Sequence, residues 1–110
     1  METLHLTLKK KWFDMILSGE KKEEYREIKQ HWINRLTNQN DDGTVNGNEF
    51  YKTFDKIEFR NGYGKNVALF QIECKGIQMG PLNPALCDEW QNEVDVFIIK
   101  LGKILTTKQQ

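Results

Sequence analysis

Residues 54–77 read FDKIEFRNGYGKNVALFQIECKGI, and they carry the clearest signal of the fold. Apolar and polar side chains alternate up to Arg60 and again from Val67 onward, which is typical of half-buried strands. Asn61-Gly62 stands between the two runs, and this dipeptide favours a turn between antiparallel strands. The stretch therefore predicts a β-hairpin.

Two more strands are predicted on either side of the hairpin along the chain. Residues 4–8 alternate between Leu and polar side chains, and residues 96–99 form a short apolar run. Gly102 interrupts the second of these strands. We expect the strand to continue past a β-bulge there and to give way to a frayed tail at residues 106–110.

Residues 9–18 and 28–37 are the predicted helices. Each has an apolar stripe of residues at helical spacing: Trp12, Phe13, Ile16 and Leu17 in the first, and Trp32, Ile33 and Leu36 in the second. Gly19 is a natural stop for the first helix. With the motif described below counted as a strand, about five strands and two short helices predict an α+β fold with a curved, mainly antiparallel sheet.

The composition excludes some classes of protein. The chain has 110 residues, which suits a single domain spanning residues 1–110. Its 16 Lys and Arg residues balance 16 Asp and Glu residues, so the net charge is zero. Because proteins that hold long duplex DNA by its phosphates are usually basic, any nucleic-acid role must depend on a local site.

The sequence has no apparent signal or transmembrane segment, and its two cysteines are not spaced to bind a metal. The first residues show no basic region followed by an apolar run, and no stretch approaches transmembrane length. We therefore expect a cytoplasmic protein with no membrane partner. Cys74 and Cys87 stand far apart and are expected to be small core residues, so we predict no metal site and no cofactor.

The most informative stretch for function is residues 19–26, Gly-Glu-Lys-Lys-Glu-Glu-Tyr-Arg. A strand over residues 22–27 places Glu24 and Arg26 on one face. Lys21 lies at the preceding turn, where its side chain can swing toward them. Two cations would then flank one carboxylate beside a concave surface. The alternative is a solvated, charge-rich strand in which Glu24 and Arg26 simply pair.

The pattern Gly-x-Lys-x-x-Glu-x-Arg resembles the signature of the ASCH domains, a branch of the PUA-like superfamily linked to RNA and modified nucleosides. The flanking Leu8-Lys9, Trp12-Phe13, Trp32 and Arg35-Leu36 resemble the family as well. The resemblance covers residues 4–36 and returns at residues 54–63 and 97–105. It implies a small β pseudo-barrel with helices packed at its openings.

The resemblance implies a ligand cleft at residues 19–26. Glu24 can accept a hydrogen bond from an exocyclic amine, while Lys21 and Arg26 can hold a carbonyl or a phosphate. Arg35 and Arg60 add candidate phosphate contacts. The candidate stacking residues are Trp12, Tyr25, Trp32 and Tyr63, of which Trp12 and Trp32 also fit a core role. We expect Lys21, Glu24 and Arg26 to remain partly solvated in this cleft.

Two other classes of function remain open: an enzyme, either an amidohydrolase or a ribonuclease, and an interaction module. In family members that hydrolyse N4-acetylcytidine, a Thr stands at the position of Glu24, so that departure counts against an amidohydrolase. If the protein is nevertheless an enzyme, Lys21 and Glu24 are the candidate catalytic residues, with Glu24 activating a water. Other members cleave RNA, so a ribonuclease is a further alternative. The last alternative is an interaction module with no nucleotide function.

Residues 38–49 form a polar stretch rich in Asn, Asp and Gly. Oxygen-bearing side chains fall at the ligand positions of an EF-hand calcium loop. The first ligand is the neutral Asn38, and no second loop is present to pair with it. We therefore expect a mobile surface loop that does not bind calcium tightly.

Overall fold

The computed structural model describes residues 2–38 and 50–108. Its elements, in chain order, are β1 (Thr3–Leu8), α1 (Lys10–Leu17), β2 (Glu23–Arg26), α2 (Gln30–Leu36), β3 (Lys56–Asn61), β4 (Leu69–Gly80), a short 3-10 helix (Pro84–Leu86) and β5 (Val96–Lys108). The five strands form one sheet in the order β1-β3-β4-β5-β2, and this sheet is mixed and strongly curled. The predicted α+β class, with a curved five-stranded sheet and two short helices, is confirmed.

The predicted hairpin is formed by β3 and β4, which pair antiparallel. Ile57 lies opposite Ile72 and Phe59 lies opposite Phe70, so the apolar residues of both strands share one face. Gly62 has a φ of 85°, a conformation that glycine adopts without strain. The connection from Gly62 to Ala68 is longer than the two-residue turn that an Asn-Gly pair often makes.

β1 pairs with β3 in parallel, with Leu4 opposite Ile57 and Leu6 opposite Phe59. A parallel pair requires the chain to cross back to the same end of the sheet, and the segment containing α1, β2 and α2 lies between the two strands in sequence. The alternation of residues 4–8 predicted a strand correctly. It carries no information on strand direction, which depends on partners far along the chain.

The chain folds into two compact units, each drawn from separate segments. Unit 1 comprises Met1–Glu24, Phe54–Gly76 and Ile99–Gln110. Unit 2 comprises Tyr25–Thr53 and Ile77–Ile98. Neither unit is a continuous stretch of sequence, so no single cut in the chain would separate one unit from the other.

Each unit has its own buried apolar residues. In unit 1 they come from β1, α1, the hairpin and β5, and include Leu6, Phe13, Ile16, Phe59, Phe70 and Ile99. In unit 2 a cluster forms from Tyr25, Cys87, Val96 and Ile98, with Leu82, Leu86 and Trp90 packed against it. Cys87 is therefore a small core residue, as predicted.

The end of α1 sets the course of the chain into the motif. Ser18 donates its backbone N–H to the Asp14 carbonyl, and Gly19 donates to the Ile16 carbonyl. Gly19 has a φ of 90°, which closes the helix in the manner expected of a glycine at this position. The predicted stop at Gly19 is confirmed.

β5 differs from the sequence prediction at its far end. It runs through Gly102 to Lys108, so residues 106–108 belong to the strand and not to a frayed tail. Leu101 donates its N–H to Lys22 of the segment entering β2, whereas Lys103 donates to the Glu73 side chain on β4. Because alternate N–H groups of a regular strand point to the same edge, this reversal indicates an irregularity at Gly102, where a bulge was predicted. Of the predicted loop at residues 38–49, residues 39–49 lie outside the described part of the chain, and the calcium prediction stays a prediction.

Candidate functional site

Lys21 and Glu24 form a buried ion pair in unit 1. The Lys21 Nζ lies 2.9 Å from the Glu24 Oε1, and the two side chains are 2% and 5% exposed. The ammonium also lies over the Trp12 ring, 4.5 Å from its centroid. Lys21 donates its backbone N–H to the Met15 carbonyl, which holds the residue against the last turn of α1. The predicted approach of Lys21 to Glu24 is therefore present.

The predicted partial solvation of Lys21, Glu24 and Arg26 is wrong, because all three residues are less than 9% exposed. The prediction assumed a strand with one open face. In β2, Glu24, Tyr25 and Arg26 are consecutive buried residues, so both faces of the strand are covered. A charge-rich sequence does not reveal this, since burial is decided by what packs on each face.

Arg26 has a different set of contacts, in unit 2. Its guanidinium carbon lies 5.0 Å from the centre of the Trp32 ring, and that of Arg35 lies 5.1 Å from the same centre. Arg26 also donates from Nη1 to the Tyr25 carbonyl at 2.8 Å, which fixes the direction of its guanidinium. Trp32 and Arg35 are half-buried. We call Arg26, Trp32 and Arg35 the arginine–tryptophan cluster.

Neutral flat rings attract guanidinium groups through the electron-rich face of the ring, and the attraction is strongest for Trp. The cluster thus holds two permanent cations beside an aromatic surface that retains contact with water. Planar ligands can stack on such groups, and anionic ligands can accept their hydrogen bonds. Arg35 is the more accessible of the two arginines, because Arg26 is only 8% exposed.

The other residues predicted to bind the ligand lie near the β3–β4 connection in unit 1. Arg60 donates from Nη2 to the Gly64 carbonyl at 2.9 Å, which ties it to the connection. Tyr63 is 93% exposed. A contact of either residue with a ligand stays a prediction. So does a single cleft lined by Lys21, Glu24 and Arg26.

Two of the four candidate stacking residues are core residues. Trp12 is 7% exposed, and Tyr25 is 1% exposed with its hydroxyl accepting the Asn83 N–H at 3.2 Å. Neither ring has a face open to a base. Trp32 and Tyr63 keep exposed surface, and of these Trp32 is the one flanked by two guanidinium groups.

An open cavity of about 320 Å³ lies beside the start of the motif, in unit 1. It is lined by the end of α1, by the turn into β2 and by β4 and β5: Ile16, Leu17, Ser18, Gly19, Lys21, Lys22, Ile72, Leu101, Gly102 and Ile104. Its volume is at the lower end of the range for small-molecule sites, roughly 300–1,000 Å³. We call it the α1 cavity.

Three hydroxyl and thiol groups outside residues 19–26 are poorly suited to act as nucleophiles. The Ser18 hydroxyl donates to the Met15 carbonyl, and the buried Thr37 hydroxyl donates to the Ile33 carbonyl. Burial raises the pKa of the Cys74 thiol, with a smaller opposing effect from a hydrogen bond to the Gly76 backbone. Since the thiolate is the reactive form, Cys74 is a poor nucleophile at neutral pH. Within residues 2–38 and 50–108, no group of three or more His, Cys, Asp or Glu residues is placed to hold a metal ion.

Sequence reasoning missed the β5 side of the α1 cavity. An ideal Cβ at Gly102 would lie 2.5 Å from the Glu73 Oε1 and 2.8 Å from the Lys75 Cε, so a larger residue would displace both side chains. The glycine leaves room for the Glu73 carboxylate to accept the Lys103 N–H, and that hydrogen bond, together with the Lys75 charge, lowers the pKa of Glu73. The isolated Gly102 in an apolar strand is the available signal, and by itself it predicts only a bulge.

In comparisons with known proteins, no family model, no curated protein and no solved structure matches this chain. No helix in the described residues is both long enough and apolar enough to cross a membrane.

Proposed function

We propose that this protein binds RNA or a modified nucleoside, and that it is an ASCH-type domain of the PUA-like superfamily. The observation that carries the proposal is the arginine–tryptophan cluster, in which the guanidinium groups of Arg26 and Arg35 both lie over the half-buried Trp32 ring. The sequence pattern of residues 19–26 supports the same function.

The chemistry of the cluster matches that of a nucleotide. Proteins that read single-stranded RNA stack its bases on aromatic rings or on guanidinium planes and hold its phosphates with cations. Arg35 and the open part of Trp32 make the direct contacts in this proposal, while the more deeply buried Arg26 positions the ring. With zero net charge, the protein has no general field for phosphates, so the ligand is a short single strand or a single nucleoside.

Trp32→Ala is expected to weaken binding of single-stranded RNA or nucleoside by about tenfold or more, because base–aromatic stacking contributes roughly 1–3 kcal/mol per base. Arg35→Ala should weaken it as well, and Arg35→Lys should restore only the charge-dependent part, since Lys lacks the planar guanidinium. Titration calorimetry with a panel of single-stranded oligonucleotides and modified nucleosides measures these affinities.

Lys10→Ala is the matched control, because it removes one positive charge from a side chain that is 76% exposed on α1. It should leave the affinity unchanged, and all variants should retain their thermal unfolding transitions. The proposal fails if the wild-type protein binds no member of the panel, or if Lys10→Ala weakens binding as much as Arg35→Ala does.

We expect no efficient hydrolysis of N4-acetylcytidine. Glu24 occupies the position of the hydroxyl nucleophile in the hydrolytic family members, and its Oε1 is held 2.9 Å from the Lys21 ammonium. Because its side chain is only 5% exposed, Glu24 offers little access to a water and a substrate. Chromatographic detection of free cytidine tests this directly: turnover by the wild type that disappears in Lys21→Ala would replace the binding function with an enzymatic one.

A further inference from the structure

The second half of β5 is an exposed strand. We call residues 102–108 the β5 edge segment. From Lys103 onward every residue in it is exposed, and the apolar Ile104 and Leu105 are 38% and 47% exposed. In the first half of the same strand, Val96, Phe97, Ile98 and Ile99 are all buried. Exposed apolar residues within a regular strand mark a place where another chain can pair.

One edge of this segment lies beyond the end of its neighbouring strand. The Lys100 side chain forms an ion pair with Glu23, and Leu101 donates its backbone N–H to the Lys22 carbonyl. As one residue number rises the other falls, so β5 and the segment entering β2 run in opposite directions here. β2 is the strand beside β5 on this side within the described residues, and it begins at Glu23. The β5 edge segment therefore extends past its partner and presents backbone donors and acceptors along that edge.

The α1 cavity opens at the same place. Leu101, Gly102 and Ile104 form its β5 side, and Lys22 lies on its other side. Ile16, Leu17 and Ile72 supply further apolar lining. An added strand that pairs with the segment would bring every second side chain toward one face, and the cavity can receive one apolar side chain from it.

Three exposed lysines, against the exposed carboxylate of Glu20 in the turn into β2, border this edge, although the chain as a whole is neutral. Lys22, Lys103 and Lys108 are exposed. The Glu73 carboxylate on β4 accepts the Lys103 N–H and lies 3.7 Å from the Lys75 ammonium, so its charge is largely balanced by its neighbours. The exposed lysines favour a partner that carries carboxylates.

We propose that the β5 edge segment and the α1 cavity form a docking site for an extended, acidic segment of another protein, which adds to the sheet as a strand. Main-chain hydrogen bonds to β5 supply affinity, one apolar side chain fills the cavity, and carboxylates face Lys22, Lys103 and Lys108. This interaction is separate from nucleotide binding by the arginine–tryptophan cluster.

A second copy of the chain is a poorer occupant. Edge-to-edge pairing of two copies would bring the exposed Lys22, Lys103 and Lys108 of both copies into one interface. Like charges brought together across an interface are destabilising. The same lysines that attract an acidic strand thus oppose edge-to-edge dimerisation.

The test uses the full chain and a fluorescein-labelled peptide of about eight residues, in which Glu-Glu pairs that present carboxylates to both faces of a strand flank central Val and Ile residues. Fluorescence anisotropy is expected to show saturable binding that weakens as salt is added. Lys103→Glu/Lys108→Glu should weaken binding by about tenfold or more, and the neutral change Ile104→Asn should also weaken it, through loss of the apolar contact and not of charge. Lys10→Glu/Lys65→Glu is the control with the same change in net charge at other exposed positions, and it should bind like the wild type.

Amide chemical shifts in the peptide complex should change at residues 102–108 and around the α1 cavity. The proposal is overturned if the peptide does not bind at about 1 mM, or if the control double variant loses as much affinity as Lys103→Glu/Lys108→Glu. It is also overturned if single-stranded RNA displaces the peptide, or if sedimentation shows dimerisation through this edge. Loss of RNA binding in Trp32→Ala with unchanged peptide binding would separate the two functions.

Discussion

Glu24→Gln is expected to lower the free energy of unfolding by about 3–5 kcal/mol, although it barely changes the volume of the side chain. The carboxylate lies 2.9 Å from the Lys21 ammonium, and both side chains are almost fully buried. The Gln side chain is neutral, so in this variant the buried Lys21 ammonium has lost the negative charge that balances it. Urea unfolding measures the loss, and the Tm should fall by on the order of 10 °C or more.

Two further variants separate the effect of burial from that of pairing. Asp14→Asn breaks an ion pair on α1 whose atoms lie 2.6 Å apart but whose side chains are 76% and 51% exposed, and it should cost about 0.5 kcal/mol or less. Lys21→Met/Glu24→Leu replaces both charges with apolar groups and should recover most of the stability lost in Glu24→Gln.

The contrary result would change the role of the pair. If Glu24→Gln has the same free energy of unfolding as the wild type and yet binds RNA or nucleoside more weakly, the Lys21–Glu24 pair contacts the ligand and does not stabilise the fold. If the variant is destabilised as expected, its binding must be measured well below its Tm. Otherwise unfolded protein would be mistaken for the loss of a ligand contact.

Phe70→Ala is expected to cost about 3–5 kcal/mol in the free energy of unfolding. Phe70 is fully buried in unit 1, and its ring centre lies 4.9 Å from that of Phe13 and 5.5 Å from that of Phe59. Removing the ring loses its transfer energy and its aromatic contacts and leaves a cavity between α1 and the hairpin. Urea unfolding again provides the measurement.

Tyr63→Ala is the control for this variant, since Tyr63 lies in the β3–β4 connection of the same hairpin but is 93% exposed. Its stability should stay within about 0.5 kcal/mol of the wild type. Equal stability of the Phe70→Ala and Tyr63→Ala variants would contradict the assignment of Phe70 to the core. If the stability of Tyr63→Ala is unchanged, an effect of the substitution on RNA binding reports a direct contact.

The elements of the fold were predictable where the signal is local. The alternation around Asn61-Gly62 predicts the β3–β4 hairpin, whereas the register that places Phe59 opposite Phe70 depends on the longer connection at residues 62–68. The stripe that contains Trp12 and Ile16, followed by Gly19, predicts α1 and its end. Periodicity and turn chemistry are properties of neighbouring residues, so they need no knowledge of distant partners.

The environment of the motif was not predictable in the same way. The sequence places Lys21 three residues before Glu24, and the pair forms, but nothing local shows that Trp12 lies beneath the ammonium or that both charges are buried. The same limit applies to Arg26, whose contact with Trp32 joins a strand to a helix. Charge runs usually face water, so local reasoning favours an exposed site.

The sequence by itself determined the strands, the helices, the stop at Gly19 and the chemical groups available in residues 19–26. Only the tertiary structure decided that β1 runs parallel to β3, that Lys21 and Glu24 are buried, that two arginines flank Trp32, and that β5 extends past β2. The physical reason is the range of the interactions. Backbone dihedrals and side-chain periodicity depend on adjacent residues, whereas burial, strand order and ion-pair environment depend on which distant segments pack together.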